Sequence, residues 1–444
     1  MNEPRIIIPV LDWNRLADSE RAAALRRPAH AVQAEVLTTT QAIIDRVRSA
    51  GDAAARQITR ELDRIELDDL RVSSQEFRES LPALSAAARA ALDRAIANVR
   101  RFHEAQVPLA LILETMPGVS CERRVVPMAA VGLYVPAGSA PLPSTAIMLG
   151  VPAQIARCPV RVLCTPPRAD GRADPATLYV AQACGIEHVF KLGGAQAIAA
   201  MAYGTESIPK IDKVFGPGNA WVTAAKLLVA RDAAGAACDL PAGPSEVLVI
   251  ADETARPDFV AADLLAQAEH SPDAQAMLVT TSSLLAHTVL EQVATQVRQL
   301  TRREILRHSL AGSRVIVVDS LASAFAVSNA YAPEHLILQV RDPRQWLDRV
   351  TCAGSVFLGP WSPEPMGDYC SGTNHVLPTG GYARAYSGLS VSDFFRHITV
   401  QELTPAGLRD LGPTARTLAN LEGLDAHSNA VSIRLGALAE GGMA

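Results

Sequence analysis

The sequence predicts an α/β protein built on two open parallel sheets. From Val131 onward, short apolar runs alternate with helical patterns, and the same alternation resumes after Pro244. Repeated strand-helix units of this kind form a parallel sheet that helices cover on both faces. At 444 residues the chain is also long enough for two or more domains with buried cores.

The part of the chain before this alternation is predicted to be an arm followed by helices. Residues 1–29 mix a short apolar run with a polar stretch, and residues 31–106 carry apolar side chains at helical spacing. We expect a break at Gly51 and a helix start at Ser73, because Ser73-Ser74-Gln75-Glu76 has the spacing of a capping box.

The strands and helices of the two sheets follow in order. The first sheet is predicted to contain strands Val131 to Val135, Val160 to Cys164, His188 to Leu192 and Lys213 to Phe215, with helices at 143–157, 174–184, 195–203 and 219–230. The second is predicted to contain strands Val247 to Ala251, Met277 to Thr280, Val315 to Asp319, Leu336 to Val340 and Ser355 to Leu358. From about residue 390 the chain is predicted to return to helices.

Composition and charge argue against several classes of partner. The net charge is −5, with 41 Lys+Arg against 46 Asp+Glu, which gives no general attraction to nucleic acid or anionic lipid. No stretch reaches the ~18 apolar residues of a membrane helix, and the N-terminal apolar run is too short for a signal peptide. We therefore expect a cytoplasmic protein. The seven scattered cysteines lack any Cys-x-x-Cys, so they predict neither a disulfide framework nor a thiolate zinc site.

Glycine-rich turns follow two strands of the first sheet. Open parallel sheets bind ligands beyond the carboxyl ends of their strands, so we expect contacts at Tyr134, at Gly193-Gly194-Ala195-Gln196 and at Gly216-Pro217-Gly218-Asn219. Glycines let the backbone approach a ligand, and the free N–H groups of the helix that follows favour an anion. Because there is no Gly-x-Gly-x-x-Gly, a dinucleotide and a simple packing role both remain open.

A helix predicted to begin near Pro257 carries a candidate metal-binding pair. Asp263, Gln267 and His270 fall at i, i+4 and i+7 and share one stripe, whereas Glu269 points about 100° away from His270. Gln267 and His270 are therefore the better pair. A lone helical histidine is more often a surface or core residue, so this pattern leaves the question open.

Three further segments place acid, base or polar side chains at irregular positions. Glu334-His335 lies between a predicted helix and a strand and offers two proton acceptors of different strength. Residues 354–381 form a long irregular segment that spaces Asp368, Asn374 and His375 among glycines and prolines. His427 is predicted to lie in the terminal helix, Leu418 to Leu435, with Glu422 five residues earlier in the same helix. Each segment alone is a weak signal.

Taken together, the segments that contain these residues resemble the histidinol dehydrogenase family. The matching segments are Gly132 to Pro136, Gly138 to Thr145, Gly193 to Ala200, Phe215 to Ala220, Gly243 to Glu246, Gln267 to Pro272, Ala332 to Leu336, Gly367 to Thr379 and Ala426-His427. The resemblance covers the chain from about residue 30 to its end, and motifs of this length in this order are highly specific.

The resemblance implies an architecture and an activity. The fold would be two incomplete Rossmann-like domains with small helical N- and C-terminal extensions. The domains would be an arm (1–29), a larger domain with most metal and catalytic residues (30–130 with 245–389), a second domain that contacts NAD (131–244) and a C-terminal helical domain (390–444). The activity would be oxidation of L-histidinol to L-histidine, through an enzyme-held aldehyde, with two NAD⁺.

The resemblance also implies a homodimer with shared active sites and one Zn²⁺ in each. The metal ligands would be Gln267, His270, Asp368 and His427, with His427 coming from the other subunit. The residues implied to contact substrate are Ser245, Gln267, His270, Glu334, His335, Asp368, His375, Glu422 and His427. The residues implied to contact NAD are Tyr134, Gln196 and Asn219.

The residue types fit a proton-transfer mechanism. His335 can take the hydroxyl proton in the first oxidation and act again as base in the second, while Glu334 can activate water on the aldehyde. A thiol route through Cys370 is the competing mechanism, but the sequence shows no partner that would lower the pKa of that thiol.

Other functions remain as alternatives. An enzyme of the same fold could oxidise another alcohol, such as a sulfonated diol, but the presence of Glu422 and His375 favours histidinol, because another substrate would lack the groups they serve. A zinc hydrolase, in which Glu334 activates water without NAD, and a silent binding module are further alternatives.

The chain departs from the family pattern at Pro360, where many members have an acidic residue, and in its N-terminal arm.

Overall fold

The computed structural model describes residues 8–27, 34–137, 140–240 and 243–440. Parts of the predicted arm, residues 1–7 and 28–29, and two residues of a matching segment, Gly138 and Ser139, lie outside these ranges. The chain divides into two compact units. The large unit contains Met1–Gln106 and Ala129–Phe394, and the small unit contains Val107–Met128 and Phe395–Ala444.

The described residues contain three sheets and a large helical share. The strands are Val10–Asp12 (β1), Leu111–Met116 (β2), Val119–Pro127 (β3), Ala130–Tyr134 (β4), Val160–Thr165 (β5), His188–Lys191 (β6), Lys213–Phe215 (β7), Ala237–Cys238 (β8), Glu246–Ala251 (β9), Gln275–Thr280 (β10), Arg314–Val317 (β11), His335–Gln339 (β12), Ser355–Leu358 (β13) and Phe395–Leu403 (β14).

The helices are Asp18–Ala24 (α1), Ala34–Leu62 (α2), Ser74–Ala83 (α3), Ala86–Glu104 (α4), Pro143–Ile155 (α5), Pro175–Ala183 (α6), Gly194–Tyr203 (α7), Ala220–Arg231 (α8), Pro257–Ala268 (α9), Ser283–Val297 (α10), Arg303–Ala311 (α11), Leu321–Tyr331 (α12), Glu364–Tyr369 (α13), Pro405–Leu421 (α14) and Asp425–Ala439 (α15). None of them, within the described ranges, is both long and apolar enough to cross a membrane.

Two parallel sheets form the large unit. One has the strand order β1-β11-β10-β9-β12-β13 and the other has the order β6-β5-β4-β7-β8. All paired strands in both sheets run parallel. These sheets confirm the predicted α/β fold with two open parallel sheets.

The six-stranded sheet is buried on both faces, as its apolar strands require. Val247 and Val249 of β9 point into a core that includes residues of α9, α10 and α11, whereas Leu248 and Ile250 point into a core shared with α12. This alternation is the period of two of a strand. The central strands are thereby fixed between two apolar layers, and the residues at their ends are held in place.

The five-stranded sheet is covered by helices that include α2 and α7. Ile44 and Ile58 of α2 share a core with Val162 of β5 and Met201 of α7. The segment 34–72 therefore packs on the sheet of residues 130–238, although we grouped residues 30–130 with the other sheet. The division of the chain into domains stays a prediction.

Several local predictions can be compared with the structure. The break at Gly51 is confirmed, since its φ is 49° inside α2. Ser73 caps α3 by accepting from the N–H of Glu76 at 3.1 Å. The carboxylate of Glu76, however, accepts from the N–H of Ala173 at 2.6 Å instead of completing a capping box.

The arm and the C-terminal part differ from the sequence prediction. Residues 10–12 form β1, an edge strand paired with β11, so the arm is part of the six-stranded sheet. The C-terminal part begins with a strand, β14, where we predicted only helices. In the small unit β14, β3 and β2 form an antiparallel sheet, and α14 packs against α15. Gly423, with a φ of 71°, separates the last two helices.

Candidate active site

A pocket of about 720 Å³ lies in the large unit. One side is lined by residues 217–219, which follow β7, and the other by Ser245, Glu334 and His335, which lie before or at the start of β9 and β12. The carboxyl edge of the five-stranded sheet and the amino edge of the six-stranded sheet thus contribute to one cavity. The rule that ligand residues follow strands holds for the first sheet, whereas in the second sheet Ser245, Glu334 and His335 precede or begin their strands.

The backbone of Glu246 fixes the Glu334-His335 pair at the bottom of this pocket. The N–H of Glu246 donates to Glu334 Oε2 at 2.8 Å, and His335 Nδ1 lies 3.1 Å from the carbonyl oxygen of Glu246. Because a carbonyl oxygen can only accept, Nδ1 carries the hydrogen in this bond. The other ring nitrogen, Nε2, is buried and has no hydrogen-bond partner among the described residues. It is therefore the nitrogen available to take a proton.

Burial and mutual charge shift the acid-base properties of this pair. Burial raises the pKa of Glu334 to about 8, against the opposing effect of neighbouring His335. For His335, burial lowers the pKa, but the carboxylate of Glu334 and that of Asp368 outweigh this effect and raise it to about 10. Perturbed groups of this kind concentrate at functional sites.

Helix α13 brings two carboxylates to His335. Glu364 and Asp368 are at i and i+4 and so share one face of the helix. Asp368 Oδ1 lies 3.5 Å from His335 Nε2, and Glu364 Oε1 lies 4.0 Å from the same nitrogen. Burial and the charge of Asp368 raise the pKa of Glu364 to about 9. Burial favours the protonated form of Asp368, but the close contact with His335 and the charges of the neighbouring histidines have the larger effect, so the pKa of Asp368 is lowered.

Oxygen and nitrogen donors that could bind a metal ion lie around the two α13 carboxylates. The ligand atoms of His270, Glu364 and Asp368 are all within 4.8 Å of one another. His270 follows the end of α9, and α9 packs against α13. Gln267 of α9 is completely buried, yet both polar atoms of its amide lack a hydrogen-bond partner among the described residues. These donors suit a zinc ion, which binds imidazole and carboxylate groups.

His375 is oriented by two hydrogen bonds. Its Nδ1 lies 2.7 Å from the carbonyl oxygen of Asp368, and its Nε2 lies 3.2 Å from the hydroxyl of Thr145 in the first turn of α5. The neighbouring Asn374 is buried and donates to the carbonyl of Met148 at 2.8 Å. The irregular segment around His375 is thus tied to α5, and both His375 and Thr145 line the pocket.

The residues predicted to contact NAD lie at the carboxyl edge of the five-stranded sheet. Tyr134 ends β4, and its hydroxyl accepts from the N–H of Gly194 at 3.0 Å. Gln196 is buried in α7, and its Oε1 has no partner among the described residues. Asn219 lines the pocket and caps α8, with its Oδ1 accepting from the N–H of Trp221 at 3.1 Å.

Two predicted site residues belong to the small unit. Glu422 is exposed at the C-terminal cap of α14, and His427 is exposed in the first turn of α15. Gly423 separates the two helices, so these residues do not share one terminal helix as we predicted.

Cys370, the candidate for a thiol route, is half-buried just after α13. Its carbonyl oxygen accepts from the amide of Asn98 at 2.8 Å. Among the described residues, the pocket is lined by neighbouring Tyr369 but not by Cys370. This placement does not favour a thiol as nucleophile.

Sequence reasoning placed most of these side chains but missed Glu364, Thr145 and the backbone of Glu246. The spacing of Glu364 and Asp368 was a usable signal, because i and i+4 share a helix face. This spacing did not lead to a prediction, because residues 354–381 are predicted to be irregular and no helix is expected at 364–369. Thr145 and Glu246 each end a segment that carries the resemblance, but no sequence pattern assigned either residue a role in the site.

The fold and site together define a class. The chain is an α/β protein in which a buried imidazole with carboxylate neighbours, a metal-compatible donor set and a glycine-rich turn at a parallel sheet contribute to one pocket. That combination is typical of an enzyme.

Comparison with known proteins defines the family. Residues 25–435 match the family model described as histidinol dehydrogenase. The chain is 55% identical over 430 residues to histidinol dehydrogenase of Xanthomonas euvesicatoria pv. vesicatoria, which covers 97% of this chain and 100% of the relative. It is 54% identical over 423 residues to the Vibrio vulnificus strain YJ016 protein of the same name, with 95% and 97% covered.

A solved structure agrees with this result. The crystal structure of histidinol dehydrogenase from Elizabethkingia anophelis superimposes with a TM-score of 0.93 at 45% identity and covers 97% of this chain and 98% of that one. The chain belongs to the histidinol dehydrogenase family, a family of oxidoreductases.

Proposed function

We propose that the protein oxidises L-histidinol to L-histidine through L-histidinaldehyde, with two NAD⁺, as the last steps of histidine biosynthesis. Family membership supports this proposal. The observation that carries it is the convergence, in one pocket, of the His335 base, the Glu334 carboxyl group and the donors His270 and Asp368.

The proposed resident metal is one Zn²⁺, held by Gln267, His270, Asp368 and His427 of the partner subunit. The unpartnered amide of Gln267 and the converging His270 and Asp368 support this assignment. A bound Zn²⁺ would supply a Lewis-acidic site that grips the imidazole and amine of the substrate, so its duty is positioning. Glu364 is a further oxygen donor close to this set.

The remaining substrate contacts follow from the residues in and around the pocket. We assign substrate binding to Ser245 and His375, which line the pocket of the large unit, and to Glu422 of the small unit. We assign NAD binding to Tyr134, Gln196 and Asn219. Gly216 keeps the turn that leads to Asn219 close to Tyr134, because a Cβ at residue 216 would lie 2.2 Å from the carbonyl oxygen of Tyr134.

The first oxidation requires a base for the hydroxyl proton. His335 Nε2 takes that proton as a hydride leaves the adjacent carbon for NAD⁺, and the product is the aldehyde. The bond from Nδ1 to the Glu246 carbonyl fixes the tautomer, so that Nε2 is the nitrogen that accepts whenever the ring is neutral. Because the pKa of His335 is raised to about 10, the neutral fraction, and with it the rate of the first oxidation, should rise with pH.

The second oxidation requires a water molecule. Glu334 removes a proton from water as the oxygen adds to the aldehyde carbon, and His335 returns the proton it took in the first oxidation to the former carbonyl oxygen, which gives the hydrate. His335 then takes a hydroxyl proton of this hydrate as the second hydride leaves for the second NAD⁺. The products are the carboxylic acid and two NADH in total. The burial of Glu334 and His335 limits access of bulk water and helps to retain the aldehyde between the two steps.

We also propose that the active form is a homodimer. The small unit exposes apolar side chains on both its sheet and its helices; examples are Leu111, Ile112, Leu418, Leu421 and Ile433. Exposed apolar surface of this extent is typical of protein interfaces. A cytoplasmic location stays a prediction.

One assay tests the function. NADH formed per L-histidinol consumed is counted with purified protein, with and without a chelator. The proposal predicts two NADH per substrate, loss of turnover on chelation and retained NAD⁺ binding by the metal-free protein. One NADH per substrate would mean that the aldehyde is released. No NADH would favour a zinc hydrolase or a silent binding module, and turnover only with a sulfonated diol would favour a different dehydrogenase of this fold.

A further inference from the structure

The N-terminal arm reaches the residues that hold the acid-base pair. Both members of that pair are fixed by the backbone of one residue, because Glu334 accepts from the N–H of Glu246 and His335 donates to its carbonyl oxygen. A displacement of the Glu246 backbone therefore moves the proton acceptors of both oxidation steps together. The position of this backbone depends on what holds the side chain of Glu246.

The side chain of Glu246 is buried, and its carboxylate is held by the arm. Arg27 forms an ion pair with it, in which Nη2 lies 2.8 Å from Oε2 and Nε contacts Oε1. The N–H of Gly380 also donates to Oε1 at 2.8 Å. A buried carboxylate requires such partners, since an uncompensated charge in the interior is costly.

The same guanidinium holds the segment that leads into Glu334. Arg27 Nη2 donates to the carbonyl of Tyr331 at 2.8 Å and to that of Ala332 at 3.3 Å. Its guanidinium carbon lies 3.9 Å from the centre of the Tyr331 ring. Ala332 has a φ of 54°, a left-handed conformation that persists in non-glycine residues only where surrounding contacts fix it.

We propose that Arg27 is a positioning residue for Glu334 and His335, acting through the Glu246 peptide on one side and the Tyr331-Ala332 carbonyls on the other. The planar fork of arginine suits this task, because it serves a carboxylate and two carbonyl oxygens in fixed directions while stacking on a ring. The inference rests on the proposed function, since it assigns a role within that reaction.

Variants of Arg27 test the role. Arg27→Met keeps much of the aliphatic side chain that packs on Tyr331 but removes the guanidinium group. We expect kcat for L-histidinol to fall about tenfold to a hundredfold, because small misplacements of catalytic groups slow a reaction by that much. The KM values for L-histidinol and NAD⁺ and the bound zinc per subunit should stay within about twofold of wild type, because substrate binding is not removed. Arg27→Lys should recover only part of kcat, since an ammonium group is a point charge.

A matched control and a second variant separate positioning from folding. Arg21 of the same arm donates to the carbonyl of Trp13, lies over its ring and pairs with Asp18. These side-chain contacts stay within the arm, so Arg21→Met should keep the wild-type kcat. The double variant Arg27→Met with Glu246→Gln removes the unpaired charge, so it should fold even if Arg27→Met does not. Its kcat should remain low.

The outcomes are distinct. Unchanged kcat in Arg27→Met, a full recovery of kcat in the double variant, or a parallel loss of zinc and of both KM values would overturn the positioning role. A wild-type protein that forms no NADH from L-histidinol would instead refute the proposed function.

Discussion

At the scale of single residues, Gln267 is the most informative side chain outside the acid-base pair. It is completely buried, and neither atom of its amide has a hydrogen-bond partner among the described residues. An amide buried in this way costs about 1 to 3 kcal/mol of stability. A residue that costs stability and lies beside a donor cluster is expected to serve a ligand, and zinc is the proposed one.

Substitution of Gln267 separates stability from metal binding. We expect Gln267→Met to leave the metal-free protein as stable as wild type or more stable, by about 1 to 3 kcal/mol, because an apolar side chain of similar length removes the unsatisfied amide. Zinc affinity should fall at least about tenfold. Urea unfolding of chelated protein and zinc titration would measure the two effects. A destabilised variant with normal zinc affinity would show that the amide serves the fold instead.

Substitutions of the acid-base pair should affect different steps. His335→Asn should slow oxidation of L-histidinol by about 10²- to 10⁴-fold, the usual contribution of a general base. Glu334→Gln should spare that step and mainly slow oxidation of L-histidinaldehyde. Stopped-flow absorbance of NADH with each substrate measures the steps separately. Wild-type rates with both substrates in either variant would refute its assigned role.

The raised pKa of Glu334 predicts a pH dependence for the aldehyde step. Because burial places this pKa at about 8, the carboxyl group is protonated below that pH and can act as a base only above it. The rate of L-histidinaldehyde oxidation should therefore rise with pH through about 8 as Glu334 ionises, and rise further toward about 10 as His335, the base for the hydride step, loses its proton. Glu334→Gln should remove the part of the rise that belongs to Glu334. A rate in the wild-type protein that is flat between neutral pH and the pKa of Glu334 would exclude Glu334 as the base.

How far the sequence predicted the site also depends on particular residues. Asp368, His335 and His270 were found because motifs resembling a known family contain them, and the structure places all three at the pocket. Glu364 was missed because its helix has six residues and begins after prolines, which hides the helical period. Thr145 was missed because its contact with His375 joins residues far apart in the chain.

At the scale of elements, the turn after β7 is held by a buried ion pair. Lys226 Nζ donates to the carbonyl of Gly216 at 2.9 Å, and Asp239 Oδ2 accepts from its N–H at 2.7 Å. Lys226 and Asp239 are paired with each other. The N–H and the carbonyl oxygen of Gly216 are therefore both held by hydrogen bonds. The φ of Gly216 is 123°, a value that other residues rarely adopt.

Substitution of Gly216 should weaken NAD binding selectively. A Cβ at this position would meet the Tyr134 carbonyl oxygen at 2.2 Å, so Gly216→Ala must displace the turn. The displaced turn should raise the KM for NAD⁺ by about tenfold, which is a loss of about 1.4 kcal/mol of binding free energy, while zinc content stays unchanged. Gly436→Ala is the matched control, since nothing lies within 4 Å of a Cβ there. Unchanged KM in Gly216→Ala would remove this turn from the NAD site.

The elements that were predicted and those that were missed differ in burial. The central strands β9, β10 and β12 are buried throughout and appear in the sequence as continuous apolar runs. In contrast, β2 and β14 are mostly exposed and mix charged with apolar residues, so no period marks them. Edge strand β1 has only three residues. Tertiary pairing, which single-sequence patterns do not contain, forms these strands.

At the scale of the whole molecule, the proposed sharing of His427 between subunits can be tested by mixing two inactive chains. One chain carries His427→Ala and the other His335→Asn. In a mixed dimer, the intact pair of the first chain receives the intact His427 of the second, so one site is complete. Random exchange should restore about a quarter of the wild-type activity, because half of the dimers are mixed and each has one of two sites.

The control for this experiment is each inactive variant exchanged with itself, which should stay inactive. Dimer exchange is verified independently by mass measurement of tagged chains. If mixed dimers form and remain inactive, His427 serves its own chain, and the shared site is refuted.

The architecture shows what sequence can predict about a whole fold. The alternation of strands and helices predicted two parallel sheets, and the structure confirms them. The use of the amino edge of the six-stranded sheet for Ser245 and His335 was not predicted. Which edge of a sheet meets a cavity depends on how the two sheets pack, and packing has no local signature in the chain.

The small unit has a consequence for the order in which the protein can be made. Its central strand β3 pairs along its whole length with β14, from Val119 opposite Leu403 to Pro127 opposite Phe395. The hairpin of β2 and β3 emerges from the ribosome early, whereas β14 is synthesised only after every strand of both parallel sheets. During that interval the edge of β3 that later pairs with β14 has no partner strand for its backbone N–H and C=O groups, and a hairpin with such an edge is prone to premature association. Nascent chains should thus depend on chaperone protection until synthesis is nearly finished.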